Sequence, residues 1–491
     1  MSITFSLTPS DAAASAVFVE QEPVNRNAGV GTFTHRVLIP AQVNTGETPE
    51  FGKVKRVFTQ ADANDIGGRG SMLALLAGDA LRRGREVYVM PIEDASAAVA
   101  AEGTIEVTAA PNEAGTIAIG IGGDRVVVGV DEDDAADDVA TAIAAAISAK
   151  GDLPVTASAS TSTVTITAKW AGESGNQLTL EVNPREGDEL PDGVELTVTD
   201  FADGAEDPSL ESALNDIGAT WYSEVVSPYI TTGPLGELVT WAEGRADPGV
   251  KRPALIMAGY TGSREDYQTL LDNYNSEWLS FIPVLGSSRP AMRIAAGAAG
   301  AWATWQTDNN ARPIKGEIIP GALADDDNDL SYTEQDALIK LGGSYTENLP
   351  GGRVAFGDVA TTRTETNQGV PTTDWRFALI VPNLQFKINA LDLTFRDSPF
   401  DQAVVISDEG PAGPTYAIRP KTVKSFAVDL IDQWVNLGLS TDRDTIVENT
   451  VAQIDGDNPG RINVLIPDVP SAGLRILAAK LEWAFLTGGN N

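Results

Sequence analysis

Three stretches of this chain carry residue types that could do chemistry. The first is Gly67-Gly-Arg-Gly-Ser71, which opens a helical pattern through Met72, Leu75, Leu76, Asp79 and Ala80, with Ser71 as the expected N-cap. Glycine-rich turns at helix starts can cradle phosphate on backbone N–H groups. That use calls for G-x-x-x-x-G-K-[ST] or G-x-G-x-x-G, and neither spacing is present. The second is acidic. Asp325, Asp327, Asp329 and Asp336 fall at calcium-loop positions one, three, five and twelve, but Leu330 stands at the sixth, where the turn needs glycine. Ser331-Tyr-Thr-Glu334 reads instead as a capping box behind a solvated loop. Asp131-Glu-Asp-Asp134 has neither a sixth-position glycine nor a twelfth-position glutamate, and its carboxylates suit the positive end of a helix macrodipole. The third is His35, the sole histidine, on one side of a strand pattern with Phe33 and Val37. It reads as a strand residue without chemistry. No catalytic, cofactor-binding or metal-ligating residue is assigned.

Composition narrows the classes further. A length of 491 residues implies roughly three domains. With no cysteine there is neither a disulfide framework nor a thiolate metal site, and one histidine leaves little for imidazole sites or Ser-His relays. A formal charge of −35 argues against nucleic acid, whose binding draws on Lys and Arg. The same charge makes copies repel, so self-association should depend on salt. Apolar runs are short and interrupted by charges, and Met1-Ser-Ile-Thr-Phe5 lacks a basic region before an apolar core. Neither a membrane span nor a cleaved signal is expected.

The elements follow in order. A strand over Phe33–Ile39, the Ser71-capped helix and a strand over Glu86–Met90 begin an α/β pattern. Between about 100 and 205 the composition shifts to alternating Thr, Val and Ile. It predicts strands at Gly103–Ala109, Gly115–Ile121, Arg125–Val130, Val155–Ala159, Val164–Ala168, Leu178–Val182 and Val194–Thr199, with a helix over Ala135–Ala149. Strands at Trp221–Ser227, Ala254–Gly259 and Ser280–Pro283 then alternate with helices at Leu235–Glu243, Arg264–Asn275 and Ala291–Trp305. Such alternation implies right-handed crossovers and a mainly parallel sheet. Ligands in such sheets sit beyond the carboxyl ends of the strands, where no convergent carboxylates, lysine or glycine-rich turn are visible. A last region carries a long mixture of apolar and polar residues over Trp375–Asp397, a helix over Thr422–Leu437 ended by Gly438, a candidate strand pair in Arg443–Gln453 and a terminal strand at Arg461–Pro470.

The expected division is an arm over 1–28, an α/β core over 29–98 and 206–373, an inserted β-rich domain over 99–205, a C-terminal α+β domain over 374–470 and a second arm over 471–491. In that last arm Leu474, Leu477, Ala478, Leu481 and Phe485 share a helix face, while Leu477, Ala479, Leu481, Trp483 and Phe485 share a strand face. Periodicity leaves helix and strand open. Near the other end, Ala16-Val-Phe-Val-Glu20 is a short apolar run that suits an edge strand or an arm.

The arginine-led, proline-ended terminal strand followed by Leu474-Arg-Ile-Leu-Ala-Ala479 resembles the C-terminus of Mu-type contractile phage tail sheath proteins. Gly68-Arg-Gly-Ser-Met-Leu-Ala74, the Ala311-Arg-Pro313 turn, the Val17–Glu20 segment, and Leu153-Pro-Val-Thr-Ala157 with Gly172-Glu-Ser-Gly-Asn176 in the insertion are similar to the same family, in the same order. The resemblance implies a non-enzymatic subunit, without cofactor, that stacks as rings around a tail tube in the virion tail and is assembled in the host cytoplasm. It also implies baseplate and tail terminator proteins as partners, and contraction that drives the tube through the host envelope. Its terminal arms would add strands to a neighbour's sheet, which puts Val17, Phe18, Val19, Glu20, Leu477, Leu481, Trp483 and Phe485 at intersubunit contacts. The sheath of a bacterial contractile injection system is a close alternative. A surface adhesin with an embedded β domain, or a hydrolase with paired carboxylates, belongs to other classes.

Overall fold

The computed structural model describes residues 33–324, 328–396, 399–409, 411 and 413–482. The chain enters its largest sheet through β1 (Val37–Gln42), a continuous Val-Leu-Ile-Pro-Ala-Gln run buried along its whole length. Uninterrupted apolar character is what a strand covered on both faces requires. β2 (Lys55–Val57), α1 (Gln60–Gly67), α2 (Met72–Leu81) and β3 (Val87–Ile92) follow. Thr59 and Asp62 form a reciprocal capping box at α1. At α2 the expected cap is present, with Ser71 Oγ accepting the Ala74 N–H at 3.0 Å.

β4 (Glu102–Ala109), β5 (Gly115–Ile121), β6 (Asp124–Val130), α3 (Ala136–Ala149), β7 (Val155–Ser160), β8 (Thr163–Ala168), β9 (Leu180–Val182) and β10 (Glu195–Ala202) form a block with sheets of its own. One sheet has the order β10-β4-β8-β7 and the other β6-β5-β9, and both are antiparallel. Alternation gives β4, β6 and β8 one buried face, while β5 is buried continuously from Ile117 to Ile121. α3 buries Val139, Ala140, Ile143, Ala144 and Ile147, one stripe of a 3.6-residue period.

The chain then returns through α4 (Glu211–Asn215) to β11 (Glu224–Ser227), α5 (Thr232–Ala246), β12 (Leu255–Tyr260), α6 (Arg264–Leu271), β13 (Leu279–Pro283) and α7 (Ala291–Asp308). The completed sheet has the order β13-β12-β11-β1-β3-β2, parallel from β13 to β3 with β2 antiparallel at the edge. The Ala/Gly composition of α7 serves close packing, since a Cβ at Gly300 would overlap the Ala80 carbonyl of α2. α8 (Tyr332–Lys340) starts behind the Ser331–Glu334 box, where Glu334 accepts the Ser331 N–H at 2.9 Å. β14 (Thr346–Leu349) and β15 (Arg353–Phe356) make a hairpin.

The last part contains α9 (Ile380–Arg396), β16 (Val404–Val405), β17 (Ala417–Ile418), α10 (Pro420–Asn436), α11 (Arg443–Asn449), β18 (Val451–Ile454) and β19 (Ile462–Leu465). Pro420 occupies the first turn of α10, and Gly438 beyond its end takes φ +73°. Phe33, Phe386, Ala390, Leu430, Ile431, Trp434, Leu439 and Ile446 form a core separate from the main one. The whole is a multidomain mixture of α/β and α+β layers.

Several expectations change. Arg443–Gln453 is not a strand pair: its first half is α11, fastened to α10 by a two-pronged Arg443–Asp432 ion pair and burying only Ile446. Its second half, β18, pairs instead with β19. The terminal strand is shorter than Arg461–Pro470, because prolines 467 and 470 cannot extend a ladder. His35 precedes β1 rather than lying in it. Trp221–Ser223 likewise lies outside β11.

Candidate intersubunit site

The crevice where an α/β sheet would hold a ligand lies beyond the carboxyl ends of β1 and β11. Here it is filled. Gln42 donates to Asp94 Oδ1 at 2.7 Å and to the Ala171 carbonyl at 2.5 Å, and receives the Tyr229 hydroxyl at 3.2 Å. Tyr229 is fully buried, and burial pushes its hydroxyl well above the usual range.

The Gly-Arg-Gly-Ser turn serves a junction with the inserted block. Gly70 takes φ +74°, and a Cβ there would overlap the Leu153 carbonyl. Lys169 Nζ ties the two sides, donating to the carbonyls of Arg69 at 2.8 Å and Gly151 at 2.7 Å, while Arg69 grips Asp152 with two hydrogen bonds. A second tie lies nearby. Arg293 on α7 reaches Asp79 and Asp124, and Arg289 also reaches Asp124. Burial would raise the Asp124 carboxyl, but the two guanidinium groups outweigh it and hold it below the ordinary value.

His35 is fully buried among Phe33, Trp221 and the end of α7. Its Nδ1 is 2.6 Å from Glu224 Oε1 and its Nε2 is 2.6 Å from Asn310 Oδ1, while Ser223 Oγ donates to Glu224 Oε2 at 2.6 Å. The serine is on the carboxylate rather than on the imidazole, so no nucleophile relay is assembled. Among the described residues no group of three or more His, Cys, Asp or Glu is placed to hold a metal ion.

Among the described residues, the most exposed large apolar side chains lie in the last segment, after β19. After β19, Asp468 is held by Lys387 Nζ at 2.6 Å and Ser440 Oγ at 2.6 Å, and Lys387 and Asn383 both donate to the Leu439 carbonyl. Burial holds the Lys387 ammonium below its ordinary range against the pull of Asp468. From this root, residues 471–482 run in neither helix nor strand. Leu477 and Leu481 are 83% and 87% exposed, and Leu474 and Ile476 are similarly bare. Among the described residues of this segment, neither periodicity is realised. Val17, Phe18, Val19, Glu20, Trp483 and Phe485 lie outside the described residues, as do Asp325 and Asp327 of the calcium-like run.

The last domain also carries an apolar groove of about 770 Å³, lined by Leu391, Phe395, Phe400, Val405, Ile418 and Val464 among others. β19 forms one wall, and among the described residues its two-stranded ladder pairs one of its two edges. Sequence reasoning missed the groove because its lining comes from α9, the β16–β17 pair and β19, dispersed over more than seventy positions. It also missed the Lys387–Asp468 root, whose one sequence signal is a lysine within an apolar helix pattern.

No family model matches the chain. The Mu-like prophage FluMu tail sheath protein of Haemophilus influenzae is 26% identical over 491 residues, covering 98% of this chain and 100% of the relative. The sheath tail protein of Desulfitobacterium hafniense has a similar fold, with a TM-score of 0.50 at 12% identity over 94% of this chain and 98% of that one. The contracted helical sheath of the anti-feeding prophage aligns at a TM-score of 0.49 and 10% identity, over 96% of this chain and 100% of that one. From end to end, the chain is similar to one Mu-like tail sheath protein.

Proposed function

We propose that this chain is the structural subunit of a contractile phage tail sheath, polymerising around a tail tube and contracting to drive the tube through a host envelope. One observation carries the reading: a terminal segment with four large aliphatics in solvent leaves a body that bears an apolar groove and an open strand edge. The occupant is the corresponding segment of a second copy, laid along β19 as an added strand. Charge supports this choice. Residues 474–482 carry Arg475 and Lys480 against Glu482, a net positive piece of a chain at −35. Val17–Glu20, Trp483 and Phe485 belong to the same proposal as further arm contacts.

Magnitudes favour many ties. Burying Leu477 or Leu481 stabilises by roughly 1.5–3 kcal/mol each, while association costs about 4–15 kcal/mol. One arm therefore roughly breaks even, and a helical, head-to-tail lattice that engages both arms and the bodies together passes the threshold. The division into core over 29–98 and 206–373, insertion over 99–205, C-terminal domain over 374–470 and arms over 1–28 and 471–491 is part of this proposal. The core and insertion, joined at Gly70 and Asp124, would move as a rigid body while the arms keep subunits tied. No nucleotide or catalytic step is assigned, since the free energy resides in the lattice. Tail tube, baseplate and tail terminator proteins are the proposed partners, and a virion tail assembled in the host cytoplasm is the proposed location. Among the described residues no helix is long and apolar enough to cross a membrane. Deleting Leu474–Asn491 tests the reading: a folded monomer that forms no tubes is expected, and tubes from the truncated chain would overturn the arm's role.

A further inference from the structure

The tail does not leave the body directly after β19. Pro470 bridges to Ser440, and the Ser471 N–H donates to the Leu439 carbonyl at 3.1 Å, both within the last domain. The chain then crosses to the α/β core. Gly473 lies so close to Pro313 that a Cβ would overlap its ring, and the Arg475 guanidinium lies 3.1 Å from the centroid of Phe377. Phe377 is itself fixed by a backbone bridge to Ala360, and the Ala378 N–H donates to the Val359 carbonyl at 3.0 Å. Asp358 adds an attractive charge near Arg475. The crevice under this seat measures about 30 Å³, room for one water, so the segment closes it rather than leaving space for a ligand. From Ile476 onward every described residue is exposed.

We infer that Arg475 is a positioning residue for arm exchange: stacked on Phe377, it pins the root of the arm to its own subunit and sets where Leu477 and Leu481 project. The inference rests on the sheath reading above. A guanidinium suits the task because it holds an aromatic face by charge and by planar contact while remaining compatible with water. The effect on assembly is geometric. Pinned at Arg475, Leu481 lies within about 20 Å of its anchor; freed back to Ser471, it ranges over about 33 Å. The volume searched grows about four- to five-fold, and the arm's effective concentration at a neighbour's groove falls in proportion.

The cysteine-free sequence makes the pin directly measurable. Spin labels on Tyr332→Cys and Leu477→Cys report the distance from core to arm in the dilute monomer, with and without Arg475→Ala. Phe377→Leu removes the ring face from the other side while keeping an apolar side chain. We expect a narrow distance distribution in the parent and a broad one in either variant, the double variant no broader than each single one, and unchanged melting temperatures. In unlabelled chains the threshold concentration for tubes should rise about five-fold in Arg475→Ala. A broad distribution in the parent, or a narrow one in Arg475→Ala, overturns the pin. An unchanged tube threshold with a broadened distribution overturns its positioning role. A parent chain that never assembles overturns the sheath reading, and the distance measurement still decides the pin.

Discussion

Replacing His35 with leucine should destabilise the junction between the core and the last domain more than most single substitutions. The imidazole has a partner at 2.6 Å on each ring nitrogen, and its side chain and that of Glu224 are both fully buried. Leucine fills much of the ring's volume but leaves Glu224 with only the Ser223 hydroxyl, and Asn310 without its partner. Removing one member of a buried, hydrogen-bonded pair costs about 3–5 kcal/mol, because the other is left uncompensated. For a cooperative unit of 150–250 residues this corresponds to a melting temperature lower by on the order of 10 °C. Differential scanning calorimetry of the purified chain measures it. The double variant His35→Leu, Glu224→Leu serves as control and should recover a large part of the loss, since replacing both partners by apolar groups is often nearly neutral. A single variant melting within about 1 °C of the parent, or a double variant no better than the single, would refute the assignment of His35 as a structural pin.

Other outcomes follow from the same geometry. Gly70→Ala should destabilise by about 2 kcal/mol or more, combining strain at positive φ with the overlap on Leu153; hydrogen exchange should quicken around 151–169 first. Asp124 has a lowered carboxyl pKa in the fold, so its contribution is present above the unfolded value of about 3.9 and is lost as pH falls through the lower folded value. In acid titrations, Asp124→Asn should therefore be less stable than the parent at neutral pH and lose less below pH ~4. Leu465→Lys, on the exposed wall beside the groove, should leave the stability within about 0.5 kcal/mol of the parent and prevent tubes; light scattering reads the second effect. Tubes should also form more readily as salt rises toward 0.5 M, where the repulsion of a −35 chain is screened.

Local chemistry explains which parts were legible in sequence. The inserted strands were readable because Thr/Val alternation encodes a half-buried sheet, and α2 because Ser71, Leu76 and Asp79 fall in helical register after a cap. β1 could be read as a strand, but not where it began, since His35 continues the alternation while its partners, Glu224 and Asn310, are almost two hundred residues away or more. α11 was misread because Thr445, Ile446 and Val447 place three β-branched residues in a row within a seven-residue stretch, which Arg443 fastens to Asp432 of α10. The tail was legible as an unpartnered apolar segment but not in its conformation, which a single chain does not fix. The groove and the Arg475–Phe377 seat were invisible, because each is assembled from segments whose meeting depends on the whole fold.

The most direct test of the account compares the full chain with a chain lacking Leu474–Asn491, both purified and imaged by negative-stain electron microscopy in the same salt series. The account predicts striated tubes from the full chain and monodisperse particles of unchanged melting temperature from the truncated one. Tubes of equal length and abundance from both would contradict the claim that the terminal arm joins the copies.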